Sequence, residues 1–276
     1  MIVSSTLRAA LAAALIVAAP ATAQQKDYEP QVGQAGKDVI WVPTPDEVVE
    51  RMLRMAQVTA NDYVVDLGAG DGKIAIAAAK KFGARALGIE YNQDMARHAQ
   101  RNAEKAGVTA RAKIVQGDIF ASDFTQATVI TMYLLPALNL KLRPQLLQMR
   151  PGTRVVSHSF NMEDWNADEI SSLDGRRAYL WIVPANIMGS WALEAGGERT
   201  ELTIEQRYQK IDGSVALGQV QAGLRDAKLR GYSISFAYVD NVGVRRDFSG
   251  RVSGGRMEGS FRADGGAEGR WVATKK

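Results

Sequence analysis

One stretch near the start of the chain combines a strand, a glycine-rich turn and a helix. The apolar run Tyr63-Val64-Val65 leads into Asp66-Leu67-Gly68-Ala69-Gly70-Asp71-Gly72, and an alanine-rich helical pattern follows from Lys73. Glycines spaced this closely after a strand let a ligand lie against bare backbone, where a Cβ would collide with it. The stretch therefore predicts an α/β fold with a ligand site at the end of its first strand.

The residues of this turn indicate which ligand it holds. A phosphate-binding P-loop ends in Lys-Ser or Lys-Thr, whereas Gly72 is followed by Lys73-Ile74, and the dinucleotide fingerprint Gly-x-Gly-x-x-Gly is also absent. Two carboxylates, Asp66 and Asp71, would repel a pyrophosphate and attract a cation. S-adenosylmethionine carries a sulfonium and an ammonium but no phosphate, so the turn favours this cofactor and methyl transfer. Asp71 either faces the cofactor or caps the following helix.

Acidic residues also follow the next two predicted strands. The strand at residues 86–89 ends at Glu90 and Tyr91, and the strand at residues 112–116 leads to Asp118 and Ile119. Open α/β sheets bind ligands at the carboxyl ends of their strands. We therefore expect Glu90 to accept hydrogen bonds from ribose hydroxyls, and Asp118 with Ile119 to bind adenine. The predicted cofactor-binding residues are Asp66, Gly68, Ala69, Gly70, Asp71, Gly72, Glu90, Tyr91, Asp118 and Ile119.

Aromatic residues after the fourth and fifth predicted strands are candidates for the methyl-acceptor site. Tyr133 opens an apolar loop, and a dry aromatic rim would favour a neutral lysine amine and hold its aliphatic stem. His158, at a strand end, is a candidate catalytic proton acceptor, although a structural histidine fits the same position. Phe160 and Trp165 either form another wall of the pocket or pack in the core. No His, Asp and Glu residues have metal-ligand spacing, so no metal is expected.

These motifs together resemble the class I S-adenosylmethionine-dependent methyltransferases. The resemblance rests on Asp66 to Gly72, Gly88-Ile89-Glu90 and Gly117-Asp118. Within that family the chain is most similar to the lysine N-methyltransferases of the ATP synthase c subunit. The narrower resemblance is carried by Val42-Pro43-Thr44-Pro45, Tyr133-Leu134-Leu135-Pro136 and Val155-Val156-Ser157-His158-Ser159-Phe160.

The resemblance implies an α/β fold with a Rossmann-like, seven-stranded methyltransferase sheet. It also implies a protein-lysine N-methyltransferase, for which we expect in-line transfer of the methyl group. Two alternatives remain open from the sequence: a methyltransferase for a small molecule, and an exported, non-catalytic binding protein that recognises its ligand with its C-terminal part.

The beginning of the 276-residue chain has the order of parts of a secretory leader. Arg8, the uncharged run at residues 9–19 and Ala21-Thr22-Ala23 predict a signal peptide over residues 1–23. Export would place the protein in the periplasm of a Gram-negative cell, whereas an uncleaved leader would keep it at the inner membrane. Residues 24–41 are polar and predict a linker or lid. Thr44-Pro45-Asp46-Glu47 then predicts a helix with Thr44 as its N-cap.

Residues 42–195 are predicted to form the methyltransferase domain, with a hairpin of residues 177–183 and 187–193 completing its sheet. Beyond them the composition changes, because 14 of the 26 glycines follow residue 195 and Ile234, Phe236 and Tyr238 alternate with small residues. Residues 197–276 therefore predict a small antiparallel β domain. A net charge of +4 without a basic block argues against nucleic acid as partner. The expected partner is a protein substrate, which includes a membrane-associated one.

Overall fold

A computed structural model describes residues 28–276, so the predicted signal peptide lies outside the described residues. The first sheet and its helices occupy residues 46–182. Their bounds are α1 Asp46–Met55, β1 Tyr63–Leu67, α2 Lys73–Phe82, β2 Arg85–Glu90, α3 Gln93–Lys105, β3 Ala112–Gln116, β4 Val129–Met132, α4 Pro136–Leu147, β5 Arg154–His158, β6 Glu169–Leu173 and β7 Arg176–Ile182. None of the helices within residues 28–276 is long and apolar enough to cross a lipid bilayer.

The seven strands of this sheet lie in the order β3-β2-β1-β4-β5-β7-β6. Strands β1 to β5 are parallel, whereas β7 runs antiparallel to both β5 and β6. This arrangement confirms the predicted methyltransferase sheet. The order reverses beside β1, where the chain continues to β2 on one side and later returns to β4 on the other. Ligands bind at such a switch point, beyond the carboxyl ends of the strands.

Both faces of this sheet are covered, which explains the continuous apolar run of β1. Val64 belongs to a core shared with α1 and α2, whereas Val65 and Leu67 belong to a core shared with α4. Parallel strands that are buried on both faces have uninterrupted apolar sequences rather than alternating ones. The sheet is therefore held between two apolar layers, and its carboxyl edge carries the turns that follow the strands.

The start of α1 differs from the prediction made from the sequence. The N-cap position is Pro45, and no side chain caps the helix. Thr44 instead lies buried, with its Oγ1 atom 3.2 Å from Nδ1 of His158. The prediction of Thr44 as N-cap was therefore wrong, because a partner 114 residues away holds its hydroxyl.

The hairpin that completes the first sheet was also placed incorrectly. It consists of β6 and β7, joined at Asp174 and Gly175, whose φ angles of 48° and 76° are those of a two-residue type I′ turn. The predicted second strand of the hairpin overlaps β8, Gly189–Ala195, which pairs with β9 and β16 of the other sheet. The chain therefore passes from one sheet to the other at residues 183–188. A division after residue 195 would separate β8 from both neighbouring strands.

The second sheet has nine antiparallel strands in the order β11-β10-β9-β8-β16-β15-β14-β13-β12. This confirms the predicted antiparallel β region. The apolar side chains that alternate along its strands, Phe236, Phe248 and Trp271 among them, form one core. The strands of this sheet that follow β8 are β9 Glu198–Arg207, β10 Lys210–Leu217, β11 Val220–Gly223, β12 Arg225–Arg230, β13 Ser233–Val239, β14 Arg245–Ser253, β15 Arg256–Ala263 and β16 Glu268–Lys275.

Candidate active site

The turn after β1 brings backbone, rather than side chains, to the edge of the sheet. Gly68 and Gly70 have φ angles of +79° and +54°. A Cβ on Gly68 would lie 2.9 Å from Cδ2 of Leu134, and one on Gly70 would lie 2.6 Å from Nε1 of Trp41. The backbone N–H groups of Gly68 and Ala69 both donate to the carbonyl oxygen of Ile89. The turn is therefore fixed against β2 in a form that residues with side chains do not fit.

Asp66, the last residue but one of β1, carries a buried carboxyl group. The Oγ1 hydroxyl of Thr131 donates to its Oδ1 atom at 2.7 Å. Burial raises the pKa of Asp66 to about 7, and the neighbouring charges of Asp71 and Glu90 act in the same direction. Three acidic groups thus surround the glycine turn, and a bound cation would relieve the repulsion among them.

Glu90 and Asp71 are both tied to the backbone around this turn. Glu90 accepts from the N–H of Gly70 through Oε2 and from the N–H of Asn92 through Oε1, each at 2.9 Å. Asp71 accepts from the N–H of Lys73 through Oδ1 at 3.1 Å. Asp71 therefore satisfies a free donor at the start of α2 and at the same time lines the cavity described below. The two roles considered for it are compatible.

Asp118 lies after β3, at the other end of the site. Its Oδ1 accepts from the N–H of Phe120 at 2.9 Å, and its Oδ2 lies 2.8 Å from Nζ of Lys37. The same ammonium group lies over the ring of Tyr91, 4.4 Å from its centroid. The hydrogen bond from Lys37 holds the pKa of the Asp118 carboxyl below its usual range. Each carboxylate oxygen keeps a second lone pair, so Asp118 can still accept from an adenine amino group.

A cavity of about 320 Å³ joins these groups. Its volume falls within the range of roughly 300–1,000 Å³ that is usual for small-molecule sites. Of the predicted cofactor residues, only Gly72 is not part of its wall, since Gly72 faces α3 with the position of its Cβ 3.1 Å from Cβ of Ala99. The predicted site residues that line the cavity are Asp66, Gly68, Ala69, Gly70, Asp71, Glu90, Tyr91, Asp118, Ile119 and Tyr133.

Two of the three aromatic candidates for the acceptor side face this cavity. Tyr133 and Phe160 both line it, and their stacked rings lie 6.2 Å apart. Trp165 does not line it. Its fully buried ring packs between Trp181 and Tyr208 at centroid distances of 5.9 and 6.0 Å, and its carbonyl oxygen accepts from Nε1 of Trp181. Trp165 is therefore a core residue, the second of the two roles that its sequence position allowed.

His158 lies behind Tyr133 rather than in the wall of the cavity. The two ring centroids are 4.0 Å apart, and His158 is buried. Burial and, to a smaller extent, the positive charge of Arg176 lower the pKa of His158 to about 4. The imidazole is therefore neutral at pH 7. This position lets His158 support the ring of Tyr133, and it places the imidazole out of direct contact with an acceptor.

One wall of the cavity was not predicted as part of the site. Residues 34–44 form it, and within them Lys37 and Trp41 reach the cofactor side while Ile40 and Val42 reach the rim. The sequence indicated only a linker or lid over residues 24–41. Trp41, a tryptophan within a polar segment, was the one local signal that this segment packs against the rest of the protein.

Comparison with known proteins supports the same assignment. Residues 66–169 match the family model described as the ANTKMT methyltransferase domain. A protein-lysine N-methyltransferase from Saccharolobus islandicus is 46% identical over 151 residues, which cover 52% of this chain and 94% of that protein. The chain belongs to the class I S-adenosylmethionine-dependent methyltransferases.

Two further relatives of this methyltransferase differ in the acceptor that their names state. A mouse lysine N-methyltransferase named for the c subunit of ATP synthase is 33% identical over 46% of this chain and 51% of its own length. A crystal structure described as an RNA methyltransferase from Salinibacter ruber, in complex with S-adenosyl-L-homocysteine, is 49% identical. It covers 53% of this chain and 96% of that chain, with a TM-score of 0.52.

The cofactor of the methyltransferase is S-adenosylmethionine, and the residues of the cavity fit it. Gly68, Ala69 and Gly70 present backbone to the cavity, and Asp71 and Glu90 supply negative charge beside it. Among residues 28–276, no group of three or more His, Cys, Asp or Glu side chains is arranged to hold a metal ion.

Proposed function

We propose that this methyltransferase transfers the methyl group to the side-chain amine of a lysine in a protein. The observation that carries the proposal is the shared cavity: Tyr133 and Phe160 form an aromatic wall in the same space that the acidic glycine turn enters. When bound, S-adenosylmethionine supplies a methyl group on a positively charged sulfur. The acidic end of the cavity holds that charge, and the aromatic end receives the acceptor.

The aromatic wall performs the task that an amine acceptor requires. A lysine must lose its proton before its nitrogen lone pair can attack, and an apolar, dehydrated surrounding lowers the pKa of an amine. The rings of Tyr133 and Phe160 also hold the aliphatic stem of a lysine and restrict its direction. Because the leaving group of the reaction is neutral, alignment and exclusion of water by these residues are the main contributions of the protein. In-line transfer is part of this proposal.

The rim of the cavity supports a protein acceptor with apolar residues beside its lysine. Ile40, Val42, Tyr91 and Leu135 all line the cavity and are exposed over 61%, 40%, 49% and 44% of their surfaces. Exposed apolar residues that cluster around one opening mark a contact surface more often than scattered ones do. A lysine in a membrane-associated partner, flanked by apolar side chains, fits this rim. A small, highly polar acceptor would leave the apolar rim exposed to water.

Labelling of a protein extract with methyl-labelled S-adenosylmethionine tests the proposal. The wild-type enzyme is expected to label protein, and hydrolysis of the labelled band should release methyl-lysine. Gly68→Arg should abolish both labelling and calorimetric binding of S-adenosylhomocysteine, because the side chain enters the cavity. Gly218→Arg is the matched control, since Gly218 also has a positive φ, of 68°, but has no atom within 4 Å of its Cβ position. Label in RNA or in small molecules, with none in protein, would overturn the lysine assignment.

We also propose that residues 1–23 are a signal peptide and direct the enzyme to the periplasm, or to the inner membrane if the leader is retained. The order of charge, apolar run and Ala-x-Ala site supports this. Fractionation of tagged full-length protein, with the mass of its N-terminus, is the test. A mature start near Gln24 is expected, and a cytosolic protein that starts at Met1 would contradict it.

A further inference from the structure

Residues 33–41 form a small hairpin over the cofactor end of the cavity. Its strands meet at the bridge between Ala35 and Ile40, and the N–H of Gly33 donates to the carbonyl oxygen of Trp41 at 2.8 Å. We name residues 33–41 the clasp. Its inner side chains line the same cavity as the glycine turn, so the clasp is a separate wall of the cofactor site.

The clasp is attached to the enzyme on both sides. Before it, the carbonyl oxygen of Tyr28 accepts from Nη2 of Arg101 at 3.3 Å and lies 3.2 Å from Nδ1 of His98. After it, Thr44 is buried against His158. Between these anchors, Lys37 joins the clasp to Asp118, and Trp41 approaches Gly70. Lys37 and Trp41 make the contacts that bear on the cofactor.

We propose that Lys37 is a positioning residue for the cofactor and that the clasp retains the bound cofactor. Nζ of Lys37 lies 2.8 Å from Oδ2 of Asp118 and 4.4 Å from the centroid of the Tyr91 ring. One ammonium group thus joins the clasp to the carboxylate that receives adenine and to the aromatic residue that follows Glu90. It orients Asp118 and ties the clasp down across the adenine end.

Trp41 completes the closure at the opposite end of the clasp. Its Nε1 lies 2.6 Å from the position that a Cβ on Gly70 would take, so the indole covers the glycine turn. The clasp therefore contacts both Asp118, the carboxylate expected to bind adenine, and the glycine turn, which lies at the acidic end of the cavity. Loss of the contact at Lys37 should free the clasp and let bound cofactor leave faster.

The rate at which S-adenosylhomocysteine leaves the full enzyme tests the role of Lys37. Labelled S-adenosylhomocysteine is bound first, and its release is followed by stopped flow after mixing with an excess of the unlabelled compound. Lys37→Met keeps the aliphatic stem and removes the charge. Because exposed ion pairs and cation–π contacts each change affinity by a fewfold, we expect dissociation to become roughly three- to tenfold faster. Added salt should speed dissociation from the wild type and not from Lys37→Met, and Lys37→Arg should restore slow release. Lys81→Met is the control, because Lys81 pairs with Glu50 at the same distance of 2.8 Å.

Closure of the clasp has its own optical signal. Trp41 is partly exposed, whereas Trp165, Trp181, Trp191 and Trp271 are at most 1% exposed. Acrylamide quenching of tryptophan fluorescence therefore reports Trp41, and Trp41→Phe confirms the source of the signal. S-adenosylhomocysteine should protect Trp41 in the wild type and protect it less in Lys37→Met. Equal release rates, equal salt dependence and equal quenching in the two proteins would overturn the proposal. The test does not depend on the lysine acceptor, so failure of that assignment leaves it intact.

Discussion

Replacement of Asp66 by asparagine should separate the stability of the enzyme from its ability to bind cofactor. Asp66 is 2% exposed, and burial raises its pKa to about 7 from an ordinary value of 3.8. Asparagine has the same shape, and its Oδ1 can accept the hydrogen bond from Thr131 in the same way. It has no proton to release and carries no charge, so the substitution removes only the titration.

The sign of the effect follows from the two pKa values. Between about pH 4 and pH 7 the native protein keeps the proton of Asp66, whereas the unfolded chain has released it. The free energy of unfolding therefore falls as the pH rises through this range. Each pH unit lowers it by about 1.4 kcal/mol, so the span of about 3 units corresponds to a loss of up to about 4 kcal/mol above pH 7. Asp66→Asn avoids this loss.

Urea unfolding without cofactor, followed by circular dichroism from pH 4 to pH 8, measures this effect. The variant and the wild type should have similar stability near pH 4, and the variant should be more stable by up to about 4 kcal/mol at pH 8. Glu104→Gln, which removes an exposed carboxylate from α3, should change little at either pH. Calorimetry at pH 8, where Asp66 of the wild type is ionised, should show that Asp66→Asn binds S-adenosylmethionine about tenfold more weakly or worse, since one negative charge is gone. A stability difference that stays constant from pH 4 to pH 8 would refute the reasoning.

Three further substitutions test other parts of the structure. Trp165→Ala should lower the free energy of unfolding by about 3–5 kcal/mol and leave the Kd for S-adenosylhomocysteine unchanged, because the ring packs in the core. Gly70→Ala should weaken calorimetric binding of S-adenosylhomocysteine without unfolding the protein. The added Cβ would lie 2.6 Å from Nε1 of Trp41 and would displace the indole. Asp164→Ala removes the acceptor shared by Arg143 of α4 and Arg207 of β9. Because this weakens the contact between the two sheets, limited proteolysis within the connecting residues 183–188 should become faster.

The parts of the fold that the sequence predicted depend on local signals. The helix α2, Lys73–Phe82, begins after Gly72 and ends at Gly83, both in the left-handed conformation, and its start at Lys73 was predicted correctly. The carboxylates at the ends of β1, β2 and β3 share one edge because parallel strands must end on the same side. Such features can be predicted from residues a few positions apart in the sequence, together with one rule of sheet geometry.

The features that were missed depend on partners far along the chain. Phe160 and Trp165 are aromatic residues only five positions apart, yet Phe160 lines the cavity and Trp165 packs in the core. What separates them is the position of Trp181 and Tyr208, which belong to later parts of the chain. The clasp is a similar case, since Lys37 meets Asp118 across 81 residues. Polar composition predicted its exposure but not the carboxylate it would meet.

One contact of the second sheet lies close to the aromatic wall of the cavity, and another lies at Gly152, where Tyr232 and Gly231 approach the loop before β5. Tyr208, in the turn between β9 and β10, stacks on Trp165 and donates to Oδ2 of Asp164, to which Arg207 also donates. Trp165 and Asp164 lie in the segment that leads on from Phe160, a wall of the cavity. The relative from Saccharolobus islandicus aligns over 94% of its length and only 52% of this chain. Much of this chain thus lies beyond that match. The second sheet therefore contacts the segment that follows Phe160, through Trp165 and Asp164. If Phe160 meets the acceptor as proposed above, changes at Tyr208 should alter acceptor binding more than cofactor binding.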